Sequence, residues 1–349
     1  MLYLTAPERL GEILEGEPGF RSDQLREWLY RHPVLDADGM TNLPQALRDS
    51  LADDLWPFEV DIEQKADGGD TVKWLFRCHD GDPIETVLMG YRNRTTLCIS
   101  SQVGCAMGCT FCATGQFGFD RHLAAGEIVA QVAYANAYLA ATPMHHSPER
   151  VTNVVFMGMG EPLANYANTR ESIRRMIEVM GMSARSITVS TVGFVPGMQK
   201  LKDEPWPVNL AVSLHSTIPE ERSKIVPLND RYSIEDVVRS AREFYEAKGR
   251  RVSLEWTLIA DQNDSDEEAI GLARIARRIH AHVNVIVLNP TPLSLDRPPD
   301  ADRVRRFIGT LKREGANVTM RDTRGQDIDA ACGQLRIRSA TRKPGTLNP

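Results

Sequence analysis

Cys105-Ala-Met-Gly-Cys109-Thr-Phe-Cys112 holds three of the six cysteines of a 349-residue chain, spaced C-x3-C-x2-C. Thiolates this close in sequence can serve one metal centre. Three are one short of the four that close a structural zinc site or an ordinary four-thiolate iron–sulfur cluster. The shortfall leaves two readings. With His122 as fourth ligand the loop is a Cys3His zinc site. Without a fourth protein ligand it suits a [4Fe–4S] cluster whose remaining iron is open to a small molecule.

The residues around the loop set the fold. From about residue 91, β-rich runs at Thr95–Ser101, Asn153–Met157, Ser186–Thr191, Val208–Leu214, Val252–Ile259 and Val283–Leu288 alternate with longer stretches of helical periodicity. The helices are expected near 123–140, 168–181, 234–247, 265–280 and 301–314, with a last short strand near Asn317–Met320. About six βα units imply an α/β fold, a parallel sheet curled into a full or partial barrel. Chemistry in such folds gathers at the C-terminal ends of the strands. The cysteine loop follows the first strand and Gly158-Met159-Gly160-Glu161-Pro162 the second. Ser190 closes the third, Ser213-Leu214-His215 the fourth and Asn289-Pro290 the sixth. Each could be an ordinary strand-end residue, but together they fall on one expected rim.

Residues 1–75 read as a smaller helical unit. Helices are expected near 6–15, 22–31 and 43–55, with Ser22 or Asp23 capping the second, Asn42 the third, and Pro44 inside that helix's first turn. Trp28, Leu29, Met40, Leu43 and Leu47 make one hydrophobic set only if these helices pack together. Val60 to Phe76 alternates like a hairpin broken at Asp67-Gly68-Gly69-Asp70. Residues 76–90 are read as a linking strand region, 91–326 as the core and 327–349 as a C-terminal segment.

With Phe111 before its last cysteine, the loop resembles that of the radical S-adenosylmethionine (SAM) enzymes, in which SAM chelates the open iron. The glycine turn with Glu161 resembles the motif that holds the SAM amino group, and a carboxylate facing an ammonium fits that task. Ser100-Ser101-Gln102-Val103-Gly104-Cys105, Gly118-Phe119-x-Arg121, Gly158–Leu163, Ser213-Leu214-His215, and Thr323-Arg324-Gly325-x-Asp327-Ile328-x-Ala330-Ala331-Cys332-Gly333-Gln334-Leu335 together resemble the RNA adenine methyltransferases of the RlmN/Cfr type. The matches run from about residue 85 to 335. The resemblance implies a partial (β/α)6 radical SAM barrel with a small N-terminal accessory domain. It also implies one [4Fe–4S] cluster on Cys105, Cys109 and Cys112, and SAM held by Gly160, Glu161, Ser190, Ser213, Leu214, His215 and Asn289.

The chemistry the resemblance implies is unusual because adenine C2 is electron-poor and offers no lone pair to an electrophilic methyl group. Cys332 first takes a methyl by displacement from one SAM. A radical made from a second SAM removes a hydrogen from that methyl, and the thiomethylene radical adds to the ring. Glu85 matches the family's proton acceptor. Cys98 matches the thiol that releases the product by disulfide formation with Cys332. From the residues alone, Glu85 is a solvent-facing strand acid, Cys98 a small core residue and Cys78 structural. The substrates implied are an adenosine of 23S rRNA and, for many members, one in the tRNA anticodon loop. The related C8 methyltransferase shares every residue named. A reduced flavodoxin-like protein is the implied electron donor.

Composition is that of an ordinary globular chain, 42% hydrophobic and 25% charged. No apolar run is long enough to span a bilayer, and Glu8 and Arg9 interrupt the start too early for a signal peptide, so a reducing cytoplasm and a monomer are expected. A net charge of −6 makes RNA binding a matter of local basic patches. Candidates are Arg21, Arg26, Arg31 and His32, then Arg121, Arg321 and Arg324, then the tail residues Arg336, Arg338, Arg342 and Lys343. A zinc-stabilised RNA-binding protein without activity would leave Cys98, Cys332 and Glu85 unexplained.

Overall fold

The computed structural model describes residues 1–291, 294–321 and 324–335. Thr323 and the tail candidates Arg336, Arg338, Arg342 and Lys343 lie outside them. The chain opens with a short 3-10 turn at Leu2–Leu4 and another at Pro7–Glu12. The second is shorter than the helix expected over 6–15, because Gly11, Gly16 and Pro18 interrupt the run. Helices α1 (Phe20–Tyr30) and α2 (Gln45–Leu51) follow. α1 starts after Gly19 without a side-chain cap, and Pro44 stands at the N-cap of α2 instead of within its first turn. Leu29, Met40 and Leu43 are buried in one core, with Trp28 and Leu47 packed against it, so the expected hydrophobic set does form.

Strands β1 (Phe58–Ala66), β2 (Thr71–Cys78) and β3 (Pro83–Tyr91) form an antiparallel meander onto β4 (Arg94–Cys98). A small hairpin, β5 (Gln102–Gly104) with β6 (Phe119–His122), encloses the cysteine loop and its one-turn helix α3 (Ala113–Gln116). Then α4 (Ala125–Ala141), β7 (Asn153–Phe156), α5 (Tyr166–Arg174), β8 (Ile187–Thr191), α6 (Val195–Asp203) and β9 (Asn209–Ser213) alternate. They are followed by α7 (Pro219–Ile225), α8 (Ile234–Lys248), β10 (Ser253–Leu258), α9 (Asp266–Arg278), β11 (His282–Val287), α10 (Ala301–Arg313) and β12 (Asn317–Met320). Helices α6 and α7 are additions to the sequence expectation.

The ten-stranded sheet runs β1-β2-β3-β4-β7-β8-β9-β10-β11-β12. From β4 to β12 its neighbours pair in parallel. Six βα units leading to a last strand make the expected partial barrel, with edges at β1 and β12. β2 crosses residues 75 and 76 without a break, so the meander is continuous with the barrel sheet. No helix among the described residues is long and apolar enough to cross a membrane.

The core joins the N-terminal turns to the barrel. Tyr3 stacks on Trp56 at 5.1 Å, Trp56 meets Tyr134 of α4 at 5.3 Å, and Trp74 of β2 meets Tyr138 at 5.0 Å. Gly126 allows this approach, since a Cβ there would lie 2.1 Å from the Tyr3 carbonyl oxygen. Gly126→Ala is therefore expected to destabilise the protein by about 2–3 kcal/mol despite alanine's better helix propensity, because backbone must shift. Urea unfolding of the two proteins measures it, and equal stability would contradict the tight seam.

Candidate active site

The strand ends converge as the sequence led one to expect. Cys105, Cys109, Cys112, Gly158, Gly160, Glu161, Ser190, Ser213, His215 and Cys332 line one cleft of about 930 Å³. All three loop thiols are pushed up by burial, Cys105 to about 12, and Cys109 senses the charges of both Cys112 and Cys105. Buried thiols that sense one another suit a centre that binds thiolates and releases their protons. His122 is not part of this lining. Its Nδ1 sits 3.0 Å from Gln102 Nε2 and its ring lies beside Phe119, so the Cys3His set does not form. Among the described residues, no group of three or more His, Cys, Asp or Glu side chains closes around one ion. Cys105, Cys109 and Cys112 line the cleft without His122, a set of three thiolates that fits a cluster with one open iron.

Ser100, Ser101 and Gln102 knit the loop to its neighbours. Ser100 Oγ donates to the Glu85 carbonyl at 2.6 Å and accepts from Met159 N at 2.9 Å. Gln102 Oε1 accepts from Glu161 N at 2.7 Å, while Gly160, at φ 98°, leaves no room for a Cβ against the Gln102 side chain. The Glu161 carboxylate accepts from Leu163 N and Val192 N, both at 3.0 Å. Burial raises it to about 7 even so. A cation arriving in the cleft would restore its charge.

His215 has the opposite shift. Thr257 N donates to its Nδ1 at 2.9 Å, which leaves the ring proton on Nε2, and burial then Arg222 lower its pKa to about 3. The ring stays neutral and edge-on to Phe111, 4.6 Å away. These two groups give stability opposite pH slopes. Glu161 costs the fold stability as pH rises from its unfolded value toward 7, since the unfolded state ionises first. His215 costs stability as pH falls below its unfolded value toward 3, since the unfolded state protonates first. Apo-protein carrying Glu161→Gln is therefore expected to gain stability over wild type at pH 8, by about 1–3 kcal/mol, and little at pH 4.5. Denaturant melts at the two pH values test this, and a gain of equal size at both would refute it.

Other expected residues stand elsewhere. The Leu214 side chain is buried in the main core, so only its backbone reaches the rim. Asn289 lines a second cavity and donates to the Cys332 carbonyl at 3.1 Å. That cavity, of about 460 Å³, adjoins the first and is lined by Met89, Cys98, Arg321 and Cys332 among others. The disulfide expected between Cys98 and Cys332 is not present. All six cysteines are free thiols, and this pair faces the shared cavity instead of bonding across it. Cys98 is pushed up to about 12 by burial and by Cys332, with Arg321 opposing both. Glu85 is not solvent-facing. It is 3% exposed and bonds Lys73 Nζ at 2.9 Å.

The basic candidates divide. Arg121 is held by Asp80, Asp82 and Glu127, and Arg26 pairs at the surface with Asp23. Arg321 is half-buried and lines both cavities beside Cys332. Arg324 lies over Tyr91, 4.4 Å from the ring centre. Three participants escaped the sequence reading. Arg222 is fully buried and donates to the carbonyls of Leu214 and Val192, fixing two strand ends. Glu255 of β10 lines the first cleft and accepts from Asn284 Nδ2 at 2.8 Å. Lys73 is the third. Lys73 and Glu255 are charged residues within apolar strand runs, the one signal that could have found them, whereas Arg222 lies in the polar stretch 219–224 and carries none.

The comparisons with known proteins agree in kind. A family profile described as "Radical SAM superfamily" matches residues 99–273, and "Ribosomal RNA large subunit methyltransferase N-terminal domain" matches residues 12–55. "Probable dual-specificity RNA methyltransferase RlmN" of Rhodococcus opacus is 46% identical over 346 residues, 95% of this chain and 93% of that protein. The protein so described from Salinispora tropica is 46% identical over 326 residues, covering 92% and 88%. A crystal structure of a radical SAM methyltransferase from Sphaerobacter thermophilus superposes with a TM-score of 0.90 at 46% identity, covering 96% of this chain and 98% of that one.

Proposed function

The chain belongs to the RlmN family of radical SAM RNA methyltransferases, and from that premise we propose that it methylates C2 of a specific adenosine in 23S rRNA and of one in the tRNA anticodon loop. The observation that carries the reading is the position of Cys332, whose residue lines both the cysteine cleft and the Cys98 cavity. A methyl carrier needs access to the methyl source on one side and to the resolving thiol on the other.

Cys105, Cys109 and Cys112 would hold the cluster, and Gly160, Glu161, Ser190, Ser213 and His215 would surround SAM. Bound there, the pair supplies the methyl group and the one-electron chemistry that an electron-poor carbon requires. The chain's own residues do the rest. Glu161 would meet the SAM ammonium, and its Gln variant is expected to bind SAM about tenfold to a hundredfold more weakly. Neutral His215 donates through Nε2 without adding charge. Cys332 accepts a methyl on sulfur. Glu85 takes the C2 proton, and Cys98 attacks the Cys332 sulfur. That last step forms an S–S bond and breaks the S–C bond. The electron pair goes to the carbon, which takes a proton to complete the product methyl, and the unpaired electron of the ring adduct would be returned to the oxidised cluster. The working form is a cytoplasmic monomer reduced by a flavodoxin-like donor.

The test is the mass of the Cys332 peptide from protein isolated with its cluster, followed by nucleoside analysis of treated RNA. S-methylcysteine and 2-methyladenosine are the expected products. An unmodified Cys332 in cluster-loaded protein supplied with SAM would overturn the mechanism, and 8-methyladenosine would overturn the C2 assignment.

A further inference from the structure

β2 alternates in a way that leaves one residue out of keeping with its surroundings. Val72, Trp74 and Phe76 belong to the main core, whereas Lys73 points to the opposite face and is only 5% exposed. Residues 325–335, which carry Cys332, cross that face. An ammonium buried there is costly unless each proton is bonded. Lys73 meets that condition. Its Nζ lies 2.9 Å from Glu85 Oε1 and donates to the Ile328 carbonyl at 3.2 Å and the Asp329 carbonyl at 3.0 Å. An ammonium has three protons, and three acceptors are in place.

The two carbonyls belong to a turn that needs holding. Gly325 and Asp329 both have left-handed backbone, at φ 67° and 51°, and Asp329 pays a conformational penalty that glycine would not. Cys332 is three residues further on. Its own neighbourhood is fixed independently by Asn289 to the Cys332 carbonyl, by Ala113 N to the Gly333 carbonyl at 2.8 Å, and by Thr114 Oγ1 to the Leu335 carbonyl at 2.7 Å. Lys73 thus makes a tie that these contacts do not. It joins the Glu85 carboxylate of β3 to the approach of the Cys332 segment. A well-packed apolar side chain would serve stability as well as such a buried ion pair does, so the pair is better understood through what it orients.

We propose that Lys73 is a positioning residue for proton removal, holding the Glu85 carboxylate in fixed relation to the Cys332 segment through one three-bonded ammonium. The inference rests on the C2 methyltransferase reading. In the step it serves, the adenine C2–H bond breaks, the proton forms an O–H bond on Glu85, and the electron pair stays with the ring adduct. Lys73 itself exchanges no proton.

Cluster-loaded Lys73→Met is the test, with wild type beside it. Methyl loading of Cys332 should match wild type, because the contacts around Cys332 remain. RNA methylation should slow about 100-fold, the scale of a displaced general base. It should also acquire a primary isotope effect when the target adenine carries deuterium at C2. A purely structural lysine would give neither this split between half-reactions nor the isotope effect. Methylation within about threefold of wild type would overturn the proposal. So would loss of Cys332 loading in parallel with RNA methylation. Lys73→Arg keeps the charge in a different donor geometry and carries the same readouts if the Met variant does not fold. A smaller slowing with the isotope effect is expected there, and its absence would overturn the proposal. If wild type loads Cys332 but forms no 2-methyladenosine, the parent reading fails instead, which the control shows directly.

Discussion

Cys332→Ala is expected to abolish RNA methylation, by at least about 10⁴-fold, as when an enzyme loses a covalent nucleophile. The sulfur is the only atom in the reading that holds the methyl between its source and the RNA. No neighbour replaces it. Cys98 faces the second cavity and is buried, and Cys105, Cys109 and Cys112 are, in this reading, the ligands of the cluster. The fold should hardly notice, because the residue is half-buried and its segment is tied through backbone carbonyls that alanine keeps. A variant that retains its cluster and its melting temperature but transfers no methyl from labelled SAM is the expected result. Residual transfer above a few per cent would mean that methyl passes to RNA directly.

Cys98→Ala should leave both Cys332 loading and addition to RNA intact, and stop the reaction before release. The protein then stays covalently attached to its RNA, visible as a complex that survives denaturing electrophoresis. The structure supplies the reason no substitute acts. Cys98 shares with Cys332 the cavity that Arg321 also lines, and Cys78, the remaining thiol, sits in the main core with a pKa raised by burial. The substitution removes one buried sulfur, a stability cost of about 1–2 kcal/mol. Free turnover by Cys98→Ala would take the resolving role from this residue. Because burial pushes the Cys98 thiol up to about 12, its reaction depends on local stabilisation of the thiolate, and Arg321 is the cation placed to give it.

Much of this was legible in one dimension. Period-two and period-3.6 alternation located the barrel strands to within a few residues, because each strand must bury one or both faces and each helix one stripe. The loop cysteines, Gly158–Glu161, Ser190, Ser213 and His215 were found on one rim because parallel strands all present their C-terminal ends together. The meander β1–β3 was less clear. Strand-like alternation marked residues 60–76, but nothing local says that a hairpin will pair with the first barrel strand and extend its sheet. The helix over 6–15 became a 3-10 turn because glycines outweighed a weak apolar period.

The sequence by itself determined the chemistry's reagents: three clustered thiols, a glycine turn with a carboxylate, and a cysteine in a distinctive C-terminal run. Their identities and order depend only on covalent structure, so a chain met for the first time displays them. Only the tertiary structure decided which of the remaining charges matter. Apart from the resemblance that made it a proton acceptor, Glu85 read as a surface acid, and Arg321 as a phosphate contact, yet one is buried against Lys73 and the other stands between two cavities. A charge acquires its role from the dielectric around it and from partners tens or hundreds of residues away. Lys73 and Asp329 are separated by 256 positions, and their hydrogen bond exists only because the fold brings β2 and the segment 325–335 together.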